Sequence, residues 1–370
     1  MTNSVRPARI SYLCLQATRE GQASYAHVHE IVDGLKRRGC SVELYEPSYT
    51  TGRVPGPLGR AMEFLRVQRR LRASAQAQDA LYIRAHFAAY PTAMWAKRRG
   101  IPVVQEINGP YEDLFLAWPL TRWFAGLFTG LMRRQYQDAD ALIAVTAKMA
   151  DWLEAETGVG SVAVIPNGAN IVVFRPGFPK PAGLPERYAI FFGALAPWQG
   201  LDTMLAAIDH KSWPNGVSLV ILGDGVGRSS VEAAAAANPA VVYLGIRPYH
   251  ELPKFVASSI VGLVPSRDRA GTGLSPLKTY ETLACGVPAI VCDVPGSREL
   301  VREASCGIVV PVDDVGALAS AVARIAADPS AAAAMGRRGR DAIVASHSWD
   351  ERAAATLRVI DGVLTRGGRS

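Results

Sequence analysis

The sequence of 370 residues contains few cysteines, and their spacing argues against two common roles. There are five, an odd number, and no two of them form a Cys-x-x-Cys pair: Cys14, Cys40, Cys285, Cys292 and Cys306. Zinc sites and disulfide frameworks depend on paired spacings, whereas scattered cysteines are commonly small buried side chains. The sequence therefore predicts free, buried thiols in a reducing cytoplasm.

Long apolar runs are also missing. A membrane-spanning helix needs about 20 apolar residues, and the nearest candidate, Trp123–Met132, is a short run between arginines. The first residues lead into a short apolar strand rather than an apolar signal segment, so we expect no secretory signal. The expected location is the cytoplasm, and action at the inner face of the membrane stays open.

The charge is unbalanced, since Lys and Arg number 40 and Asp and Glu number 33, which gives a net charge of +7. These basic residues are spread along the chain and accompany no nucleic-acid-binding motif, so no nucleic-acid partner is expected. The excess favours attraction to phosphate-bearing small molecules and to anionic membrane surfaces.

Short apolar runs alternate with stretches of helical periodicity, which is typical of parallel sheets built from βαβ units. Six runs precede a proline-rich segment, Pro166–Pro185, and six follow it. The predicted strands are 10–15, 42–45, 81–84, 103–107, 142–145, 162–165, 188–192, 218–222, 241–244, 261–264, 289–292 and 307–310. We therefore predict two α/β domains, 1–166 and 186–345, joined by a linker at 167–185. Each is a doubly wound sheet whose ligand residues lie at the carboxyl ends of its strands.

The segment Gly271–Glu299 has the sharpest local pattern, GTGLSPLKTYETLACGVPAIVCDVPGSRE. A strand leads into a glycine-containing loop and a helix predicted to begin near Pro276. A helix N-terminus presents amide donors and partial positive charge to a diphosphate. Lys278 would add a full charge, and Glu281, one turn on, could accept both hydroxyls of a ribose. The alternative is that Lys278 and Glu281 form a surface ion pair.

This segment resembles the Glu-(any seven)-Glu region of retaining glycosyltransferases of family 4, which have the GT-B fold. Further segments resemble the family in the same order: IPNGANIVVFRP, FFGALAPWQGLDTMLAA, LVILGDGVGR and YLGIRPYHELPKFVASSIVGLVPS. The resemblance covers nearly the whole chain. It implies two facing Rossmann-like domains with a cleft between them. The first would bind the acceptor and the second the nucleotide sugar, and a helix at 346–370 would cross back to the first.

The chain departs from the family pattern at three positions. Gly273 stands at the first Glu of the pair, Ala194 where many members have Arg, and Gln199 where they have Lys. The two missing cations normally hold the donor diphosphate. Some subgroups pair an APWQG loop with an SP-x-K helix start, as this chain does. That likeness implies that Lys278, together with the helix amides, replaces them.

The resemblance also implies the residues of the site. The donor-binding candidates are Gly21, Gln22, Gln199, Gly245, Arg247, Thr272, Gly273, Leu274, Ser275, Lys278 and Glu281. Catalytic roles fall to Lys278, Glu281 and Asn108, although many relatives have His at the last position. The acceptor-binding candidates are Tyr25, Arg84, His86 and Tyr111. The turn at Gly21 and Gln22 could also be a plain βα connection, and His27 and His29 are expected to be packed or exposed.

No metal or other cofactor is expected, because the family resemblance implies a metal-free site. The one Asp-x-Asp pattern, Asp138 with Asp140, precedes a predicted strand instead of following one. Two other segments, Arg60–Arg72 and Trp118–Tyr136, combine arginines with aromatic and aliphatic residues. They indicate either contact with an anionic membrane surface or helices that pack on the domain with a basic outer face.

The function predicted from the resemblance is transfer of a sugar from a nucleoside diphosphate to an acceptor hydroxyl, with retention of anomeric configuration. The acceptor would be a glycan or a lipid-linked molecule in bacterial cell-surface glycan or glycolipid assembly. Two alternatives stay open. One is a non-catalytic sugar-nucleotide-binding protein. The other is a hydrolase or epimerase on the same scaffold, with Glu112, Asp113 and His86 as its acid–base candidates.

Overall fold

The computed structural model of the chain describes residues 8–18, 22–48, 55–74, 78–117, 119–268 and 270–367. Its internal contacts divide the chain into two units. One comprises Met1–Ile165 with Asp350–Ser370, and the other comprises Pro166–Trp349. Each unit contains one six-stranded parallel sheet covered by helices.

The sheet of the first unit has the strand order β2-β1-β3-β4-β5-β6. Its strands are β1 Arg9–Cys14, β2 Ser41–Tyr45, β3 Ala80–Arg84, β4 Val103–Ile107, β5 Ala141–Ala144 and β6 Ala163–Val164. The accompanying helices are α1 Ala23–Arg37, α2 Pro57–Ser74, α3 Tyr90–Lys97, α4 Glu112–Ala117, α5 Ala125–Gln137, α6 Ala147–Thr157 and α14 Trp349–Gly367. Short 3-10 turns lie at Phe87–Ala89 and Pro119–Phe124.

The sheet of the second unit has the order β12-β11-β10-β7-β8-β9. Its strands are β7 Arg187–Phe192, β8 Val217–Leu222, β9 Val241–Gly245, β10 Val261–Val264, β11 Ala289–Cys292 and β12 Gly307–Val310. Its helices are α7 Leu201–Ile208, α8 Arg228–Ala237, α9 Leu252–Ala257, α10 Leu277–Ala284, α11 Arg298–Glu303, α12 Val315–Ala327 and α13 Pro329–Ser346. Further 3-10 turns lie at Pro197–Gln199 and Tyr249–Glu251.

All twelve predicted strands are present, and each end lies within one residue of the prediction. The central strands were recognisable because helices cover both faces of a parallel sheet, so that both sets of side chains are apolar. Strand β7 illustrates this, since Tyr188–Phe192 is buried throughout. The five cysteines are buried and free, as predicted.

The strand order reverses direction at one point in each sheet. In the first sheet the chain departs to one side of β1 with β2 and then returns to pair β3 with β1. In the second sheet β10 pairs with β7 on the side opposite β8. Loops diverge at such a point, and the carboxyl ends of the strands leave a crevice there that commonly binds ligands. The first candidate site lies at the carboxyl ends of β1 and β3 and is called the β1–β3 edge. The second lies at the carboxyl ends of β7 and β10 and is called the β7–β10 edge.

The helix ends follow local capping rules. The hydroxyl of Thr146 accepts a hydrogen bond from the amide of Met149 at 3.0 Å and so begins α6, which ends at Gly158 with a φ of 72°. Asp314 and Asp328 cap α12 and α13 in the same way. A short side-chain acceptor satisfies one otherwise unpaired amide at each start. Pro276 corrects one detail of the prediction, because it is the N-cap residue of α10 and not part of its first turn.

The segment that enters the second unit packs against the segment that leaves it. The amide of Ala169 donates to the carbonyl of His347 at 3.0 Å, and the amide of Trp349 donates to the carbonyl of Ala169 at 3.1 Å. Phe174 is buried, and Arg340 donates to the carbonyls of Ile171, Phe174 and Ala284. The residues before Gly177 are thus part of the core of the second unit, although they form no helix or extended strand.

Candidate functional site

The loops after β7 and β8 pack backbone against backbone at the edge of the second sheet. Gly193 and Gly223 have φ values of 115° and 135°, which L-residues rarely adopt. A Cβ on Gly223 would lie only 1.8 Å from the carbonyl oxygen of Gly193. Both positions therefore require glycine, and a Cβ on Gly193 would lie 3.4 Å from Nζ of Lys278.

Lys278 lies on the first turn of α10, and every residue of that helix is buried. Its side chain is 8% exposed, and Nζ donates to Oε1 of Gln199 at 2.7 Å. Nζ also lies 4.7 Å from the centre of the Phe191 ring, an aromatic face that attracts a cation. Burial lowers the pKa of Lys278 to about 8, against an opposing effect of Glu281. The structure thus places an ammonium group, held by a neutral amide, at the β7–β10 edge.

Gln199 organises this arrangement from the 3-10 turn that follows the β7 loop. Its Oε1 accepts from Lys278 and also from Oγ of Ser266, at 3.1 Å, which follows β10. The chain thus joins residues from three segments around one amide oxygen. Because Gln199 is uncharged, it orients the ammonium group without cancelling its charge. Gln199 was predicted as a donor contact, and the structure records it as the partner of Lys278.

Glu281 lies one turn further along α10 and is 4% exposed. Its Oε1 accepts a hydrogen bond from the hydroxyl of Tyr249 at 2.8 Å. The predicted alternative, a surface ion pair between Lys278 and Glu281, is wrong because both side chains are buried and have these other partners. Sequence reasoning missed Tyr249. Its position shortly after the carboxyl end of β9 was the available signal.

The loop between β10 and α10 is held by its own side chains. The carboxylate of Asp268 accepts from the amides of Ala270, Gly271 and Gly273 at 3.3, 2.9 and 2.7 Å. The amide of Leu274 donates to the carbonyl of Pro295 at 2.8 Å, and Thr272 is buried.

Ser275, the last predicted contact before Pro276, is tied to two neighbours. Its hydroxyl accepts from the amide of Asn167 and lies 3.0 Å from the hydroxyl of Tyr280. Thr272, Gly273, Leu274 and Ser275 therefore shape the approach to α10. Their contacts with a donor stay predictions.

The arginines near this edge have separate positions. Arg267 forms ion pairs with Asp202 at 2.7 Å and Asp313 at 2.6 Å, so two carboxylates already compensate its charge. Arg247 is exposed beyond Gly245, which ends β9 with a φ of 66°. Gly21, a predicted donor contact, lies outside the described residues, as does Arg269, an arginine two positions after Arg267 in the sequence. Gln22 is exposed and is the N-cap residue of α1.

The edge of the first sheet contains a buried carboxylate that sequence reasoning missed. Glu106 is 2% exposed, and it stands in register with Arg84 on β3, which in turn stands in register with Cys14 on β1. The carboxylate accepts from Nη1 of Arg84 at 2.9 Å, the hydroxyl of Tyr82 and Nδ2 of Asn108. Nε2 of His27 lies 2.8 Å from it.

Three of these neighbours determine the charge of Glu106. Burial alone would raise its pKa, but His27, Arg84 and Tyr82 together hold the pKa well below its usual value. The group is therefore an internally compensated anion at neutral pH. The signal in the sequence was a lone charged residue inside the otherwise buried strand VVQEI.

His86 follows β3 at the same edge. Its Nδ1 accepts from the amide of Ala88 at 3.2 Å, and its ring lies against Phe64 and Phe87. Burial lowers the pKa of His86 to about 4, so the imidazole is neutral at pH 7. With Nδ1 as an acceptor, the proton is on Nε2. His86 can therefore donate a hydrogen bond from Nε2, whereas its other nitrogen, Nδ1, already accepts one from Ala88.

The remaining predicted residues of the first unit occupy different environments. Tyr25 is half-buried, with its ring 4.0 Å from the ring of His29. Tyr111 is buried against Tyr136 and Trp152, and burial raises its pKa to about 12. This is a core position, and a role of Tyr111 in acceptor binding stays a prediction. Glu112 and Asp113 are in the first turn of α4.

Two further observations concern metals and membranes. Among the described residues, no three His, Cys, Asp or Glu side chains are grouped so that they could hold a metal ion. No helix in the described parts of the chain combines the length and the apolar composition needed to cross a membrane. Asp140 precedes β5, as predicted, and its carboxylate accepts from the amide of Val103 at 2.8 Å.

Two Rossmann-like units with polar groups at both reversal points define the class of protein. Among solved structures, the chain resembles sucrose-phosphate synthase from Thermosynechococcus elongatus, with a TM-score of 0.79, 18% identity, and coverage of 97% of this chain and 100% of that one. It also resembles HepE from Anabaena in complex with UDP and glucose, with a TM-score of 0.72, 15% identity, and coverage of 95% and 99%. The fold is GT-B.

Family models give the more particular assignment. Residues 26–172 match the model of glycosyltransferase family 4, and residues 186–328 match that of the glycosyl transferases group 1. The chain belongs to this family of glycosyltransferases. A curated relative is the GDP-mannose-dependent alpha-(1-6)-phosphatidylinositol monomannoside mannosyltransferase of Mycolicibacterium smegmatis, 29% identical over 249 residues. The match covers 62% of this chain and 64% of that enzyme, a little less than two thirds of its length.

Proposed function

We propose that the protein transfers a sugar from a nucleoside diphosphate to an acceptor hydroxyl, with retention at the anomeric carbon. The observation that carries the proposal is Lys278, a buried ammonium on the first turn of α10 at the β7–β10 reversal point. The helix amides and this charge are suited to a diphosphate. Glu281, in the next turn and held by Tyr249, is suited to the hydroxyls of a ribose.

Catalysis would then consist of stabilising the leaving diphosphate. Negative charge grows on its terminal oxygen as the bond to the sugar breaks, and positioned cations and amides lower the energy of that state. Lys278 supplies the full charge where Ala194 and Gln199 replace the cations of other family members. Because the protein itself supplies this charge, we propose that no metal is needed. Transfer should therefore continue in excess EDTA, and loss of turnover that Mg²⁺ restores would contradict this point.

The proposed donor is GDP-mannose, and the proposed acceptor is a lipid-linked or glycan hydroxyl of the bacterial cell surface. Support comes from the Mycolicibacterium smegmatis relative, whose name specifies GDP-mannose and a phosphatidylinositol mannoside. The fold alone allows other donors, since HepE was solved with UDP and glucose. A thermal-shift comparison of GDP, UDP, ADP and dTDP should single out the base, because a ligand that binds only the native state stabilises it.

A transfer assay with GDP-mannose and phosphatidylinositol tests the activity itself. We expect a mannosylated lipid whose anomeric configuration matches that of the donor. Nucleotide binding without turnover on any acceptor would favour a non-catalytic binding protein. Release of free mannose without transfer to an acceptor would favour a hydrolase, although the neutral, capped imidazole of His86 does not suit that chemistry.

We further propose that the first unit contacts an anionic membrane surface through α2 and the segment around Trp123. On α2, Phe64, Val67 and Leu71 pack in the core, whereas Leu58, Met62 and Leu65 are exposed. The exposed three recur at i, i+4 and i+7 and so lie on one face, beside exposed arginines at 66, 69 and 70. Trp123 is 85% exposed, and Phe124 and Leu127 are exposed near it.

Vesicle flotation tests this contact. The protein should float with phosphatidylglycerol vesicles at low salt and separate from them at high salt, since each nearby basic residue contributes about 1 kcal/mol that salt screens. Trp123→Ser and Leu58→Ser should weaken binding severalfold through lost apolar insertion. Val226→Ser is the matched control, an exposed apolar residue of the second unit. Absence of binding at low salt would mean that these segments only pack on the domain.

A further inference from the structure

Two side-chain amides flank strand β3 at the carboxyl edge of the first sheet, and the charged side chain beside each one fixes its orientation. Asn108 contacts the carboxylate of Glu106, and Gln16 contacts the guanidinium of Arg84. A carboxylate only accepts hydrogen bonds, so it must face the NH₂ of Asn108. A guanidinium only donates, so it must face the oxygen of Gln16, at 3.2 Å.

The outward atoms of the two amides are therefore opposite in kind. Asn108 turns its Oδ1, an acceptor, away from Glu106, and Gln16 turns its Nε2, a donor, away from Arg84. Asn108 is half-buried and Gln16 is exposed. Because β3 lies between β1 and β4, their backbones are about 10 Å apart at this edge. One six-membered ring with several hydroxyls fits that span.

We propose that Glu106 and Arg84 determine which atom of each amide faces outward at this edge. Asn108 Oδ1 then accepts a hydrogen bond from one hydroxyl of the acceptor, and Gln16 Nε2 donates one to another hydroxyl. The inference rests on the proposed transferase function. It names Gln16 as a binding residue and Glu106 as a positioning residue that acts through Asn108. The group recognised is a neutral polyol ring, such as a sugar or a cyclitol, and not an anion.

The arrangement of charges supports a neutral ligand at this position. Glu106 is surrounded by Arg84, His27, Tyr82 and Asn108, so its charge is compensated inside the protein. Asn108 and Gln16 offer an amide oxygen and an amide NH₂ at this edge, and His86 adds a neutral imidazole. The carboxylate of Asp113 lies beside them, against Gly109. An amide oxygen holds a hydroxyl but cannot take its proton. Asn108 is therefore a group that orients the acceptor, and it is not a general base.

A reciprocal pair of substitutions tests the positioning role with GDP-mannose and phosphatidylinositol as substrates. Glu106→Gln can present either its oxygen or its NH₂ to Asn108, so the orientation is lost. Asn108→Asp places two carboxylates together. Each change should raise the KM for the acceptor about tenfold, because one hydrogen bond is lost, and should leave the KM for the donor unchanged. The double variant Glu106→Gln/Asn108→Asp restores an inner NH₂–carboxylate contact and an outward oxygen.

We expect the double variant to recover an acceptor KM within about threefold of wild type, because its two side chains exchange the amide and the carboxylate without losing the hydrogen bond. A merely structural role for Glu106 would instead make the two losses multiply. Gln16→Glu is the second arm. It keeps an acceptor for Arg84 but removes the outward donor, so the acceptor KM should rise while the melting temperature stays near that of wild type. Multiplicative losses, or an unchanged acceptor KM in the single variants, would overturn the proposal.

A measurement independent of turnover separates failure of this inference from failure of the transferase proposal. In protein labelled with ¹⁵N at asparagine side chains, the Asn108 NH₂ signal is identified by its loss in Asn108→Asp. It should shift in Glu106→Gln, and addition of myo-inositol should shift it in wild type. If the protein transfers no sugar but both shifts occur, the transferase proposal fails and this inference stands. An Asn108 signal that neither Glu106→Gln nor myo-inositol alters would contradict it directly.

Discussion

At the carboxyl edge of the first sheet the buried carboxylate is Glu106, and four side chains contact it. At the corresponding edge of the second sheet α10 buries two charges, the carboxylate of Glu281 and the ammonium of Lys278, and the hydrogen-bond partner that the structure records for the ammonium is a neutral amide. A charge removed from water is costly unless hydrogen bonds or an opposite charge compensate it. The first edge compensates its charge fully within the protein, whereas the second leaves a cation that an anionic ligand can complete.

The pKa values of Glu106 and Lys278 also show that the first charge is compensated within the protein more completely than the second. The neighbours of Glu106 hold its pKa well below the usual value, so its ionised form is the stable one. Burial lowers the pKa of Lys278 to about 8, so its charged form is held less firmly. We infer that the first edge offers neutral hydrogen-bonding groups and that the second offers charge.

The strongest test of this comparison removes the cation of the second edge. Lys278→Ala should lower kcat and donor affinity, with turnover reduced ~100-fold or more if the loss resembles that of an oxyanion donor. Steady-state transfer kinetics measure the effect. Arg247→Ala is the control for an exposed cation near the same edge. If Lys278→Ala keeps near-native turnover while Arg247→Ala or Arg269→Ala is inactive, an arginine holds the diphosphate instead.

Arg267→Ala tests whether an arginine that is already paired with carboxylates also takes part in donor binding. Arg267 binds Asp202 and Asp313, so its loss leaves two carboxylates without their cation. We expect a lower melting temperature with donor KM close to that of wild type. A selective loss of donor affinity without any change in melting temperature would make Arg267 part of the donor site.

Glu281→Gln tests whether the second edge binds a ribose. Charge-assisted hydrogen bonds contribute about 1.5–3 kcal/mol each, so GDP affinity measured by calorimetry should fall roughly tenfold or more. Tyr249→Phe removes the hydroxyl that orients the carboxylate but leaves the carboxylate in place, so it should cause a smaller loss, about threefold to tenfold. Equal GDP affinity in folded Glu281→Gln and wild type would exclude Glu281 from the donor site.

The smallest of these effects should be the pH dependence of GDP binding. It should depend on Lys278 at the second edge and not on Asn108 at the first. Lys278 must be protonated to hold the diphosphate, so affinity should decline as the pH rises through about 8, by at most about tenfold per pH unit. Lys278→Arg should remove this decline, because arginine stays charged. Asn108→Ala should leave it unchanged. A decline that persists in Lys278→Arg would assign the titration to another group.

The same pKa shift predicts how stability depends on pH, with the sign set by proton uptake. The pKa of Lys278 is about 8 in the folded protein and 10.5 ordinarily, so the unfolded chain binds more protons between these values. The free energy of unfolding should therefore rise with pH between 8 and 10.5 relative to Lys278→Met. Below about pH 8 both states are protonated, so the slope is zero and the cost of burying the charge is present in full. Urea denaturation at pH 8 and pH 10 measures the rise.

The strands could be predicted because their signal is local. A strand such as Ala289–Cys292 is apolar at every position, since helices cover both faces, and its ends follow from the flanking glycine and proline. The location of Lys278 and Glu281 on a helix after a strand also followed from local sequence. The partners of these side chains did not, because Gln199 and Tyr249 are distant in the chain and meet α10 only when the sheet assembles.

The buried carboxylate of the first sheet illustrates the other limit. Glu106 was visible as a charged residue in a buried strand, but its partners come from α1, β3 and the turn after β4. The parallel register that sets Arg84 beside Glu106 depends on the order β1-β3-β4, which local periodicity does not determine. In the second unit the site residues could be predicted from the family resemblance. In the first unit the partners of Glu106 could be identified only once the order of the strands was known.

The contact between residue 169 and residues 347–349 has a consequence for protein engineering. The chain enters and leaves the second unit at adjacent points, so this unit has the geometry of an insertion that could be exchanged as a block. Arg340 binds the carbonyls of Ile171 and Phe174, and for this reason the block begins near residue 166 and not at the first strand, residue 187. Chimaeras that swap donor specificity between relatives should therefore be joined at about 166 and 349.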